Sequence, residues 1–320
     1  MKIMLLVTGG AGFIGSGFLH YLQRVTDEEV VVLDNLTYAG KEEYIPVSSQ
    51  FKFEYGDIGD AETVDDVFKK YQPKKVFNFA AESHVDNSIK DVNPFIQTNI
   101  TGTCNLLRAS VDCDVHKFHH VSTDEVYGSL EYGESQLFTE ETPYAPRNPY
   151  SAYKAAAEHM VKTWHNTYGL PYLITSAANN YGPRQHQEKL VPKVIDNALN
   201  NRVTYMYGGG QQIRDWIHVD DHCDAIWTLD QQNIINDKFN IASGCELPNI
   251  TITKKILDLL DKPHNLIGVS NDRPGQDQRY GTDFSKLSKT TGWVPKIVFD
   301  DGLRETVDWY QEYSDVSSKM

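Results

Sequence analysis

Three short stretches of this chain hold residue types that do chemistry at useful spacings. The first is Tyr150-Ser151-Ala152-Tyr153-Lys154. Tyr150 and Lys154 stand four apart, so on a helix they share a face. A free phenol titrates near ~10 and is a poor base at neutral pH. A neighbouring ammonium, or a cationic cofactor ring, lowers it towards working pH. The second stretch is Thr123-Asp124-Glu125. Adjacent carboxyl groups serve as an acid and a base when their surroundings split their titration. Thr123 offers a hydroxyl for orienting a substrate. The third is Thr8-Gly9-Gly10-Ala11-Gly12-Phe13-Ile14-Gly15, with glycines at 9, 12 and 15 in a G-x-x-G-x-x-G pattern. Such a turn lets backbone N–H groups approach a pyrophosphate at a helix N-terminus. Asp34 lies 19 residues past Gly15. A carboxylate there accepts from both adenosine ribose hydroxyls and repels a 2′-phosphate, which selects NAD over NADP. Asp57 and Ile58 are placed to meet the adenine edge.

These residues need a scaffold, and the hydrophobic pattern supplies one. Short runs at 3–7, 30–33, 75–79, 118–122 and 172–174, and an alternating stretch at 51–55, read as strands. Periodic stretches from Phe13 through Leu22, and at 60–71, 93–111 and 149–168, read as helices, the second capped by Asp60. Strand and helix in alternation imply right-handed βαβ units and a parallel sheet. The expected fold is α/β: a Rossmann-like doubly wound sheet over residues 1–182, followed by a smaller α/β substrate-binding domain over 183–320. Residues 218–242 are expected to return to the first domain. The second half reads less regularly, with helices expected near 190–200, 220–232, 253–261 and 300–313 between Pro and Gly breaks.

Composition narrows the function class. The 320 residues carry 30 Lys and Arg against 44 Asp and Glu, a net charge of −14. That balance disfavours nucleic acid and anionic membrane as partners. Cys104, Cys113, Cys223 and Cys245 form no Cys-x-x-Cys pair, which excludes zinc-ribbon and thioredoxin-type motifs. Free thiols and the lack of a membrane-length apolar run point to the cytoplasm. His116, His119 and His120 have no fourth ligand at metal spacing, and Asp220, Asp221, His222 and Asp224 read as a helix start, so no metal is expected.

The glycine motif, Asp34-Asn35-Leu36-Thr37-Tyr38-Ala39-Gly40, Ala80-Ala81-Glu82-Ser83-His84-Val85-Asp86, Thr123-Asp124-Glu125 and Tyr-x-x-x-Lys together resemble the extended short-chain dehydrogenase/reductase family. Within it they are similar to the dTDP-glucose 4,6-dehydratases. Asn179-Asn180-Tyr181-Gly182-Pro183, Glu188-Lys189-Leu190-Val191-Pro192, Arg214-Asp215-Trp216 and Asp272-Arg273-Pro274-Gly275 extend the likeness over nearly the whole chain.

The resemblance implies a regenerated, tightly bound NAD. It implies cofactor contacts at Phe13, Ile14, Asp34, Asn35, Thr37, Asp57, Ile58, Ala80, Ala81, Ser83, Thr98 and Asn180, beside the glycines, Tyr150 and Lys154. It implies a nucleotide-diphosphate sugar, dTDP-glucose, held by Ser83, Thr123, Asn179, Lys189, Leu190, Tyr207, Arg214, Asn249, Asp272 and Arg273. Guanidinium forks suit a diphosphate, so the two arginines are the expected phosphate ligands. The implied chemistry is oxidation at C4, loss of water across C5 and C6, and return of the hydride to C6. Tyr150 would be the base at the 4-hydroxyl, Glu125 the base at C5 and Asp124 the acid at the 6-hydroxyl. The family also implies a homodimer, with Leu106, Leu107, Val161 and Trp164 as a candidate pairing face; core packing explains these four equally well. The chain departs from the family pattern at Gln276, Gln187 and Ala178. Alternatives are a UDP-glucose dehydratase, a 4-epimerase, a decarboxylase or a non-catalytic NAD-binding scaffold.

Overall fold

The computed structural model describes residues 3–272 and 274–317. Seven parallel strands make the central sheet: β1 (Met4–Thr8), β2 (Glu29–Asp34), β3 (Phe51–Tyr55), β4 (Lys75–Asn78), β5 (Lys117–Thr123), β6 (Tyr172–Ala177) and, from the second half, β10 (Asp237–Ile241). Their order is β10-β6-β5-β4-β1-β2-β3. The run of apolar residues in β1 and β2 splits by period two. Leu5, Val7, Val30 and Val32 enter one core, while Leu6, Val31 and Leu33 enter the other on the opposite face.

Helices Phe13–Val25, Ala61–Tyr71 and Pro149–Tyr168 lie where periodicity placed them. Asp60 accepts from the Glu62 N–H at 3.2 Å and caps the second of these. The stretch 93–112 is helical throughout, with a π-helical segment Ile96–Gly102 that carries Thr98. Of the four residues read either as a pairing face or as core, Leu106 and Leu107 on this helix and Val161 on Pro149–Tyr168 are fully buried in the chain's own core, and Trp164 packs half-buried against it, so core packing is the reading that holds. Burial of each side chain there contributes about 1.5–3 kcal/mol.

Helix Val219–Gln231 crosses over Phe13–Val25. Gly17 permits the contact: a Cβ there would stand 2.9 Å from Val219. The helix leads into β10 beside β6. The remaining strands are β7 (Asn179–Tyr181), β8 (Thr204–Tyr207), β9 (Ile213–His218), β11 (Glu246–Pro248) and β12 (Ile267–Ser270). They form a three-stranded sheet, β11-β9-β7, and a pair, β12-β8. Helices Leu190–Leu199, Asn249–Leu259 and Phe299–Ser317 pack there around Tyr181, Ile195, Trp216 and Leu303. Among the described residues no helix is long and apolar enough to cross a membrane. No group of three or more His, Cys, Asp or Glu there is arranged to hold a metal ion.

Candidate active site

One cleft runs along the carboxyl ends of β1, β2, β4, β5 and β6, the place where an open α/β sheet binds ligands. Its floor is the glycine loop. Gly9 has φ +70°, and a Cβ there would meet the Ala80 backbone at 2.6 Å. A Cβ at Gly15 would stand 2.1 Å from the Gly9 carbonyl. Helix Phe13–Val25 starts at Gly12 with no side-chain cap and no acid in its first turn, so its N-terminal N–H groups are open to an anion. The loop is pinned by Asp34. One carboxylate oxygen accepts from the Ala11 N–H at 2.9 Å, the other from the Leu36 N–H at 2.8 Å. Burial raises the Asp34 carboxyl, and those two N–H groups work against the rise. Asn35 donates to Asp57 at 3.1 Å, joining the ends of β2 and β3. Every residue that the family likeness places at the cofactor lines this cleft.

The inner end carries the acid–base groups. Thr123 ends β5, and its hydroxyl accepts from the Glu125 N–H at 3.3 Å, turning the chain so that both carboxyls follow in a single turn. Asp124 is 1% exposed. Burial, then the nearby Glu125 and Asp215 carboxylates, push its carboxyl up to about 8, against the pull of Arg214. Glu125 accepts from the Asn148 side-chain amide at 3.3 Å. Asn148 also caps helix Pro149–Tyr168, which brings Tyr150 and Lys154 to the same cleft.

The Tyr150 phenol behaves differently from the expectation. Burial and the Glu125 and Asp124 carboxylates push it up, and a hydrogen bond with Thr123 pulls it the other way. Lys154 instead donates to the Val121 carbonyl at 2.7 Å. Burial moves its ammonium down to about 8, with the Glu158 carboxylate one turn along opposing. Beneath lies a closed network. Glu158, fully buried, accepts from Ser122 at 2.5 Å, pairs with Lys238 of β10 at 2.8 Å and bonds Tyr144.

The expected substrate residues divide into two groups. Ser83, Thr123, Asn179 and Lys189 line the cleft, and Lys189 donates to the Ser83 carbonyl at 2.8 Å. Leu190, Tyr207, Arg214, Asn249 and Asp272 do not line it. Asn249 and Asp272 meet around Gln212, whose carbonyl accepts from the Asn249 N–H and whose amide donates to Asp272 at 2.9 Å. Tyr207 bonds Asp86 at 3.1 Å. Arg214 is buried and already engaged. It donates to the carbonyls of Ile213 at 2.7 Å and Asp277 at 3.0 Å and lies 4.0 Å over the Tyr280 ring. Arg273 lies outside the described residues. Sequence reasoning missed Asn148 and Thr282, which hold the two carboxyls, and Gln185, His186 and Glu188, which line the outer wall. Only the run Glu188-Lys189-Leu190 offered any signal.

A family model described as GDP-mannose 4,6 dehydratase matches residues 6–306. The chain belongs to the 4,6-dehydratase family. Among these dehydratases, the dTDP-glucose 4,6-dehydratase of Haemophilus influenzae is 44% identical over 96% of this chain and 97% of its own length. The crystal structure of DesIV, a dTDP-glucose 4,6-dehydratase from Streptomyces venezuelae with NAD and TYD bound, superposes with a TM-score of 0.94. It is 40% identical, and the match covers 98% of both chains. The fold alone does not separate the chemistries. A Thermus thermophilus UDP-glucose 4-epimerase in complex with NAD reaches 0.89 at 31% identity, covering 97% of this chain and 99% of its own.

Proposed function

We infer that this protein is an NAD-dependent dTDP-glucose 4,6-dehydratase. The observation that carries the reading is the Asp124–Glu125 pair: adjacent carboxyls beside Tyr150, one of them buried and held protonated near neutral pH. An elimination of water needs one acid and one base. An epimerase has no use for the acid. The glycine floor, the open helix N-terminus and Asp34 fit NAD, which the DesIV relative binds. Held by the glycine loop, Asp34 and Lys154, NAD would supply the hydride acceptor for C4 and the hydride donor for C6.

The chain's own residues do the rest. Thr123 orients the 4-hydroxyl and Tyr150 accepts its proton. Burial and the Glu125 and Asp124 carboxylates hold the phenol protonated, and Lys154, turned to Val121, does not oppose them; a cationic cofactor ring would supply the lowering. The resulting 4-keto group acidifies C5. Glu125 takes that proton, and Asp124 gives its own to the departing 6-hydroxyl. Lys154 holds the nicotinamide ribose. Ser83, Asn179 and Lys189 hold the sugar, and residues from 183 onward carry the nucleotide around Asn249 and Asp272. The four free cysteines support a reducing, cytoplasmic setting. A homodimer is supported by family likeness alone.

The test is mass spectrometry of dTDP-glucose, and separately UDP-glucose, after incubation with enzyme and NAD. Loss of one water without NADH build-up is the expected result, with dTDP-glucose preferred. Conversion to a galactose isomer, or an unchanged substrate, would overturn the reading.

A further inference from the structure

We propose that Asn148 is a positioning residue for elimination: one side-chain amide both caps the helix that carries Tyr150 and aims the Glu125 carboxyl as the base. The orientation of this amide is decided by its surroundings. Its oxygen accepts from the Ser151 N–H at 2.9 Å, an obligatory donor at a helix start. That leaves the nitrogen for Glu125, at 3.3 Å. An amide NH2 donates and cannot accept, so the contact is satisfied by a carboxylate whose facing oxygen carries no proton. Asn148 is 7% exposed, and its own backbone N–H is held by the Ser151 hydroxyl at 3.3 Å, so the side chain has little freedom.

Asp124, Tyr150, Asp277 and Tyr280 lie within electrostatic reach of Glu125, with Arg147 against Asp277 and Arg214 over the Tyr280 ring. The Asn148 amide is a side-chain donor that fixes where the Glu125 carboxyl points. Because the same amide fixes residue 148, Glu125 is kept in register with Tyr150 two residues on. The bases at C5 and at the 4-hydroxyl are thus set by one side chain. This rests on the dehydratase reading above.

The two duties separate by substitution. Asn148→Asp and Asn148→Ser both retain an oxygen that caps the helix; Asp has no donor for Glu125, and Ser replaces the amide N–H by a hydroxyl on a shorter side chain. Asn148→Asp also places a carboxylate against it, and like charges favour the protonated form. The measurement is dTDP-glucose turnover across pH, with KM, melting temperature and bound NAD content for each variant. The expected result for Asn148→Asp is a kcat lower by about 10- to 100-fold. KM, NAD content and melting temperature stay near the parent's, and the acid limb of the pH profile moves upward. Asn148→Ser should lose less kcat and move the limb less. Parent-like kcat and limb in both variants would overturn the proposal. So would a kcat loss that merely follows lost melting temperature or NAD. A parent that fails to dehydrate would instead overturn the dehydratase reading, and is recognised before any variant is measured.

Discussion

Asp124 and Thr282 are joined by a hydrogen bond of 3.2 Å across 158 residues of chain. Both are buried, and the bond reaches the carboxylate oxygen that Thr123 does not approach. Thr282→Val keeps the shape and removes the hydroxyl. A buried polar group left unmatched costs about 1–3 kcal/mol, so we expect a modest fall in stability and a larger fall in kcat. Urea unfolding beside steady-state kinetics checks this. Parent-like kcat would separate Thr282 from the acid.

The elevated carboxyl of Asp124 makes two pH predictions. In its proposed role as the acid of the elimination it must hold its proton, so kcat should fall as pH rises through about 8. For stability, the native carboxyl titrates at about 8 and the unfolded one near ~3.9. Between those values the native state binds more protons than the unfolded state. This group's contribution is therefore present below the lower value and is lost as pH rises to the upper one. Denaturation midpoints across that window should decline less steeply in Asp124→Asn than in the parent.

Tyr150→Phe and Glu125→Gln should fail at different steps. The first removes the base at the 4-hydroxyl and should stop C4 oxidation while NAD still binds. The second should allow oxidation and block water loss. Reduced-cofactor absorbance in a single turnover distinguishes them; each loss should be about 100-fold or more. Full turnover by Glu125→Gln would remove Glu125 from its role.

Asp34 holds the glycine loop through the Ala11 N–H as well as facing the cleft. Asp34→Asn replaces one accepting oxygen by a donor. The loss of a charge-assisted bond is worth about 1.5–3 kcal/mol, so NAD affinity should fall by roughly tenfold or more. Calorimetric titration measures it. The preference over NADP should narrow, because the repelling charge is gone.

Glu158 and Lys238 form a buried pair linking helix Pro149–Tyr168 to β10. Removing one partner of such a pair typically costs about 3–5 kcal/mol. Glu158→Gln should therefore destabilise strongly by urea titration. Lys154, which faces Glu158, should titrate lower in that variant. A stability near the parent's would show that Ser122 and Tyr144 hold the site without the charge.

The residues expected at the cofactor were legible from the chain because their signals are local. A glycine is demanded wherever the backbone turns with positive φ, as at Gly9, or packs too closely for a Cβ, as at Gly15. Asp34 is marked by following a buried strand at a set distance. Tyr150 and Lys154 are marked by helical spacing, and Asp124 and Glu125 by their place at a strand's end. Strands β1, β2, β4, β5 and β6 announced themselves as apolar runs because both their faces are buried; β3 showed only by alternation, and β10, Asp-Lys-Phe-Asn-Ile, gave no such run. The short strands β7, β8, β9, β11 and β12 gave no such run. Pro and Gly punctuate that half, and the pairing that makes them strands comes from distant segments.

What only the tertiary structure decided is how those groups are charged and held. The proton on Asp124 follows from its burial beside the Glu125 and Asp215 carboxylates, which outweigh Arg214 and the Thr282 hydroxyl; these neighbours come from three places in the chain. Arg214 was readable as a phosphate ligand by type alone. Its guanidinium meets the carbonyls of a segment more than sixty residues away, which no local pattern encodes. Leu106, Leu107 and Val161 could read as a pairing face until the sheet beneath them was known. Short-range sequence sets which atoms can react. Desolvation and hydrogen bonding set whether they do, and both are properties of what the folded chain puts next to them.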